Sequence, residues 1–500
     1  MIGPIELPLS DQILPSGSHQ PGLTFRDPAG QLQLTAQYAL RHIHPSAIDD
    51  TLAFLSTPLR SALEQSGDLI QSEIASFGRD SSVVPGELWL EHPRVEPITY
   101  PWEWTPAQWR AAAELTLRVA SQAIDAGWTL KDATPLNILF VGARPILVDV
   151  LSFERRDPGS KVWLAYGQFV RTFLLPLVAA KYLGWPLNAT LLMRDGYEPS
   201  QIYHALQPWQ RLNLNLLDVV TLATLLERPD RKSQTPPKPS TSADPDFTAH
   251  ILQTRIARLR KQIHSTKSTR SHSRWSKYSQ NALHYSPSDI HDKHEFVKNI
   301  LQRTAPASVL DIGANTGDYS LLAANSGAKV VAIDADAAAL ETLWLAASRQ
   351  NKPITTIAAN IAWPTPASGW RNREHLSLLD RVAGKFDLLL MLAVIHHLIL
   401  REQLPLSHIA ELCASLSRRW LILEWVPPSD PMYQEWLRGR DHLYGNLTEN
   451  DLARDFAAFF SIADRCELGN GRVLLLFERI SNVNGSAAFE NDRQTEPSLA

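Results

Sequence analysis

The chain has 500 residues, a formal net charge of −4, 44% hydrophobic and 20% charged residues. That length implies two or three folded domains, and the near-neutral balance removes any global pull toward nucleic acid or an acidic membrane surface. Only two cysteines, Cys413 and Cys466, are present, which excludes a disulfide framework or a cysteine-rich zinc site and suits a reducing cytoplasm.

In chain order, "MIGPIELPLSDQILPSGS" lacks the basic start and long apolar run of a signal peptide. "FRDPAGQLQL" (Phe25–Leu34) predicts two short strands around an Asp-Pro-Ala-Gly turn. "TPAQWRAAAELTLRVASQAIDAG" (Thr105–Gly127) predicts a helix capped by Thr105, with Pro106 in its first turn and Gly127 at its end. Ile138–Phe153 predicts a hairpin of two buried strands. The most apolar stretch, Phe169–Leu187, is interrupted by Arg171, Pro176 and Lys181 and is too short to span a bilayer. A buried helix pair is expected there, with no membrane insertion.

Composition then shifts. Arg228–Asp246 is rich in Pro, Ser, Thr and charge and predicts a linker. A helix over Phe247–Ser265 follows. Eight Lys or Arg and no acid lie between Arg255 and Lys277. With aromatics confined to Trp275 and Tyr278, this pattern fits a solvated connector better than a polyanion-binding arm, so no nucleic-acid partner is expected. From Ala307 on, short branched apolar runs ("SVLDI", "AKVVAID", "ITTIAA", "FDLLLMLAV", "RWLILEW") alternate with helical patterns, as in an α/β domain with a mostly parallel sheet. "FFSIADRC" and "GRVLLLFERI" predict a closing antiparallel pair.

Two constellations carry chemistry. In "VLDIGANTGDYS", Gly313 and Gly317 permit close backbone approach, and Asn315 tolerates a left-handed conformation. Asp334 ends the next strand, 23 residues after Asp311, where a carboxylate accepts hydrogen bonds from ribose hydroxyls. Asn360 ends the third strand, where its amide oxygen is suited to an adenine amino group. "FDLLLMLAVIHHL" places Ala393, His396 and His397 at the fourth strand's end, and histidine titrates in the range a general base needs. His397 is the preferred candidate and His396 the second. The aromatic segment after the fifth strand supplies Glu424, Tyr433, Trp436, His442 and Tyr444 as candidate acceptor contacts. No metal set is expected. The second constellation is "KDATPLN", with Asp132 and Asn137 five apart and Asp149 twelve residues further on.

The first constellation resembles class I S-adenosylmethionine (SAM)-dependent methyltransferases over Trp275–Ile480. The resemblance implies SAM as cofactor: Asp311, Gly313, Asn315 and Gly317 at its methionine end, Asp334 at the ribose, Asn360 at the adenine. The second resembles the catalytic loop of protein kinases and aminoglycoside phosphotransferases over residues 85–155. There the first Asp orients the acceptor hydroxyl, and the Asn and second Asp hold Mg²⁺. Here Leu130 replaces the family's histidine, Val150-Leu151 replaces Phe-Gly, and no lysine occurs before Lys131. Arg26 or Arg41 would have to stand in for the lysine that grips phosphates. A degenerate scaffold is the expectation.

"YPWEW", the "LKDATPLN…VD" loop and "AYGQFVRTFLLPL", followed by a SAM-type domain, resemble NoeA-type host-specific nodulation proteins of rhizobia. That resemblance implies a bacterial cytoplasmic methyltransferase with a small-molecule or glycan acceptor. The alternatives are a phosphotransferase with a regulatory SAM-binding domain, and a noncatalytic SAM-binding scaffold. The expected fold is thus a Rossmann-like class I methyltransferase domain, its mostly parallel sheet carrying a terminal antiparallel strand, plus an α+β kinase-like domain. The expected division is 1–227 kinase-like accessory domain, 228–246 disordered linker, 247–274 basic helix and connector, 275–480 methyltransferase domain and 481–500 disordered tail.

Overall fold

The computed structural model describes residues 26–35, 37–75, 88–226, 244–267, 285–437 and 439–480. The expected linker up to residue 243, the basic stretch beyond Lys267 and the tail from 481 lie outside them. The chain forms two compact units. The first comprises residues 1–281, 314–324 and 331–381; the second comprises 282–313, 325–330 and 382–500.

In the first unit, strands β1 (Gly30–Leu34), β2 (Tyr38–Ile43), β3 (Glu73–Ile74) and β4 (Leu88–Pro93) form a sheet of order β1-β2-β4-β3. Of the expected pair of strands within Phe25–Leu34, the described residues from Arg26 on hold one strand. Asp27 accepts the Ala29 amide at 2.8 Å, which turns the chain into β1, and β1 pairs antiparallel with β2. The helix Pro106–Asp125 is held at its start by Thr105 and Gln108, which cap each other's backbone amides, and Gly127 adopts φ 78° just beyond it. Its inner face is buried from Ala107 to Ile124. Two short strand pairs flank it: β5 (Trp128–Leu130) with β8 (Phe153–Arg155), and β6 (Ile138–Val141) with β7 (Arg144–Leu147). The expected buried helix pair is instead one helical run, Tyr166–Leu183, with a π-helical stretch at Val170–Leu174. The wider turn lets the run continue into Pro176, which lacks an amide hydrogen.

The expected helix at 247 begins at Pro245 and ends at Ser265. Its three arginines have partners. Arg258 meets Asp218 at 2.6 Å, Arg260 meets Glu114 at 2.5 Å, and Arg255 donates to the Lys161 carbonyl at 2.9 Å. Two of these arginines are therefore neutralised by acids of the same unit.

Residues 331–381 join the first unit through buried polar contacts. Arg381 forms a two-pronged ion pair with Glu103, one prong at 2.9 Å, and both side chains are almost fully buried. Gln108 donates to the Thr356 carbonyl at 3.4 Å, and Glu341 accepts the Ala107 amide at 2.8 Å.

Seven further strands follow: β9 (Ser308–Ile312), β10 (Lys329–Asp334), β11 (Ile354–Ala358), β12 (Phe386–Met391), β13 (Ser417–Trp425), β14 (Phe460–Glu467) and β15 (Val473–Arg479). In the first unit β11 neighbours β10, and in the second unit the order is β9-β12-β13-β15-β14, a mixed arrangement. Strand β12 runs parallel to β9 and β13, while β15 runs antiparallel to β13 and β14. The antiparallel strand is last in the chain but lies inside the sheet, between β13 and β14. No helix among the described residues is long and apolar enough to cross a membrane.

Candidate functional site

In the first unit, the turn Ala314–Gly317 folds onto the tip of β10. Asp334 accepts the Asn315 amide on one oxygen and the Asp336 amide on the other, both at 2.7 Å. Burial raises the Asp334 carboxyl pKa, and these two hydrogen bonds work against the rise. Asn315 sits at φ 50°, and its side-chain oxygen is buried without a donor among the described residues. Gly317, at φ 89°, is needed for packing as well as for the turn, since a Cβ there would lie 2.2 Å from Leu343. Asn360 uses its amide oxygen to accept the Ala362 amide at 2.9 Å, so it builds its own turn first.

In the second unit, Asp311 is buried on β9, and Gly313 follows at φ 76°. A Cβ on Gly313 would strike Val394 at 2.3 Å, so the glycine accommodates a neighbouring side chain of the protein itself. After β12, Ala393 takes φ 55°, a left-handed conformation uncommon for a residue with a Cβ. The short helix Ile395–Leu400 then presents His396 and His397 with ring centroids 4.1 Å apart. Trp436 meets His397 edge-on at 5.5 Å. Burial, with the nearby Arg401 and Arg472 charges, lowers the His397 pKa to about 4. Burial, then the His397 and Arg472 charges, lower the His396 pKa well below its ordinary value. Both rings are therefore neutral at neutral pH. His396 Nδ1 and Trp436 Nε1 are buried without partners among the described residues, so polar atoms gather here with capacity to spare.

The candidate acceptor contacts divide. Glu424, fully buried, receives Lys293 at 2.6 Å, the Tyr285 hydroxyl at 2.5 Å and Arg472 at 3.4 Å, while Arg472 also pairs with Asp430 at 2.8 Å. Burial pushes the Glu424 carboxyl up, but the Lys293 and Arg472 charges together hold its pKa below the ordinary value. It belongs to a buried ion cluster that fixes the end of β13. Tyr433 is buried and donates to the Tyr444 carbonyl at 2.9 Å, bracing the segment's helices. His442 is exposed and Tyr444 half-buried. Trp436 stands beside the histidines.

The "KDATPLN" loop, in the first unit, gathers its donors onto Asp149, although Arg41 Nε stays buried without a partner among the described residues. Arg41 on β2 reaches Asp149 at 2.7 Å, Asn137 donates to Asp149 at 3.3 Å, and the Ser152 hydroxyl and the Leu151 amide also donate to it. Asp132 accepts from Gln168 at 3.4 Å, and burial followed by the Asp149 charge raises its pKa. Among the described residues no group of acids, histidines or cysteines is arranged to hold a metal ion. Arg41 was already a candidate substitute for the missing lysine; its pairing with Asp149 required the folded sheet.

No family model matches the chain. It is similar to nodulation protein NoeA of Rhizobium meliloti (strain 1021), 26% identical over 480 residues that cover 94% of this chain and 99% of NoeA. The resemblance read from its motifs thus extends over nearly its whole length. Among solved structures, it is similar to magnesium protoporphyrin IX methyltransferase ChlM from Synechocystis PCC 6803 with bound S-adenosylhomocysteine (SAH), at 18% identity and TM-score 0.29, covering 39% of this chain and 85% of ChlM. It is also similar to N-methyltransferase NodS from Bradyrhizobium japonicum WM9, at 14% identity and TM-score 0.30, covering 39% and 98%. A third likeness is the bifunctional kinase-methyltransferase WbdD, at 17% identity and TM-score 0.30, covering 40% of this chain and 41% of WbdD.

Proposed function

We propose that the chain is a SAM-dependent methyltransferase acting on an oxygen or nitrogen of a small molecule or glycan precursor. In this reading residues 1–227 form an accessory domain of kinase-like layout that no longer transfers phosphate. The observation that carries it is the β10 tip. Asp334 holds the Ala314–Gly317 turn by the Asn315 amide and its own strand end by the Asp336 amide, and Asn315 keeps a buried oxygen without a donor among the described residues. Each carboxylate oxygen can accept more than one hydrogen bond, so Asp334 retains capacity for ribose hydroxyls. The Asn315 oxygen suits a cationic amine or a hydroxyl.

Bound SAM supplies a methyl group on a cationic sulfur. The residues assigned to hold it are Asp311, Gly313, Asn315, Gly317, Asp334, Asn360 and Ala393. His397, neutral above a pKa of about 4, orients the acceptor by taking a hydrogen bond from its N–H or O–H and receives the proton as that bond breaks. Trp436 and the aliphatic surroundings keep water from the transfer. The acceptor class rests on the NoeA-type resemblance.

The test is calorimetry of SAH with full-length wild type and Asp334→Ala. The variant is expected to lose on the order of 2–4 kcal/mol of binding free energy, the worth of two charge-assisted hydrogen bonds. Unchanged affinity in a folded variant would remove the ribose assignment.

A further inference from the structure

A pocket of the first unit lies apart from the residues assigned to SAM. Its walls come from Trp102, Trp109, Pro135, Leu136, Pro176 and Leu191, and it extends to Arg194, Glu374 and His375. Its volume is about 90 Å³, well beyond what a single water requires. Pro135 and Leu136 belong to the "KDATPLN" loop, so the loop that resembles a phosphotransfer site also serves as a wall.

The polar groups around this apolar surface have a consistent sign. Trp109 spends its indole N–H on the Phe173 carbonyl at 3.1 Å. Trp102 is 8% exposed, and its Nε1 has no acceptor among the described residues. An orphaned indole N–H in a dry wall is costly unless a ligand oxygen meets it. Glu374 is ion-paired with Arg26. His375 engages Ser368 through Nδ1 at 3.2 Å, and burial lowers its pKa, so it adds no charge at neutral pH. Arg194 makes no ion pair among the described residues, which leaves one uncompensated positive charge at the pocket. Its aromatic and proline surfaces suit a flat ring.

We propose that this pocket binds a small organic anion built on an aromatic ring, with its oxygens taken by Trp102 Nε1 and the Arg194 guanidinium. The inference does not rest on methyl transfer.

The experiment titrates the full chain with two fluorescent probes, anilinonaphthalene sulfonate and its uncharged counterpart phenylnaphthylamine. The sulfonate should bind saturably at one site per chain. Arg194→Gln, a solvent-reaching position, should weaken it about tenfold and leave phenylnaphthylamine unchanged, since a charge-assisted contact is lost while the ring surface stays. Trp102→Phe should weaken the sulfonate selectively by a smaller factor, and Leu191→Asp should abolish binding of both probes. SAH affinity, measured in the same variants, should not move, which separates failure of this site from failure of the methyltransferase reading. Non-saturable sulfonate binding, equal weakening of both probes by Arg194→Gln, or no effect of that substitution would overturn the proposal.

Discussion

The chain carries two acid-bearing turns of similar appearance, "KDATPLN" with Asp149 and "DIGANTG" with Asp334, and their carboxylates are engaged to different degrees. Around Asp149, an arginine, an amide, a hydroxyl and a backbone N–H are all spent on one carboxylate. Around Asp334, among the described residues, two backbone amides use the carboxylate, and Asn315 has a buried oxygen with no donor. The histidine pair resembles the second case, with His396 Nδ1 and Trp436 Nε1 both unmatched among the described residues. A carboxylate whose acceptor capacity is taken up by side chains of the protein acts as a brace, whereas one held by two backbone amides keeps capacity for a ligand.

The largest expected effect lies on the receiving side. His397→Ala should lower turnover by about 10²-fold with SAH affinity little changed, the pattern of a group that acts in the transition state. The pH–rate profile sharpens this. With a pKa of about 4, His397 is neutral throughout the physiological range, so the rate should stay level from neutral pH down toward 5 and fall as pH drops through about 4. The same depression has a stability consequence. The unfolded chain takes up protons below its ordinary histidine pKa near 6.5, while the folded chain resists until about 4, at His397 and also at His92. Stability is complete above about 6.5 and declines as pH falls through that window, by on the order of 3 kcal/mol at nearly fully buried His92. Thermal melts from pH 7 to 4 check it.

Smaller effects are expected on the bracing side. Arg41→Ala strips Asp149 of its charge partner in a partly buried setting and should cost about 1–3 kcal/mol by denaturant unfolding. Asp149→Asn should cost about 1–2 kcal/mol, through loss of the charged acceptor. The smallest effect is Asp132→Asn. Its single long contact and raised pKa leave little to lose, so stability should change by less than about 1 kcal/mol and methyl transfer by less than about twofold. A large loss of turnover in Asp132→Asn with unchanged stability would erase the contrast between the two turns.

Much of this was legible along the chain because its causes are local. The strands from β9 to β15 declare themselves by branched apolar runs, and the helix after Thr105 by its capping box. The positions of Asp334, Asn315, His396 and His397 follow from strand ends. What was not legible depends on residues far apart in sequence. Glu424 looked like an acceptor contact, but it is neutralised by Lys293, over a hundred residues earlier, and by Arg472. The single strand β1 took its partner from β2 rather than from within its own motif. The π-helical stretch before Pro176 has no simple periodic signature. The pocket of Trp102 and Arg194 assembles from distant segments, and only its unmet indole N–H, visible once folded, marks it.

The most direct test of the contrast is a pair of calorimetric titrations of the full-length protein, one with SAH and one with Mg-ATP. Saturable one-to-one binding of SAH, strongly weakened in Asp334→Ala, together with no binding of Mg-ATP, is the predicted result. Binding of Mg-ATP that disappears in Asp149→Asn, or a folded protein that does not bind SAH, would contradict it.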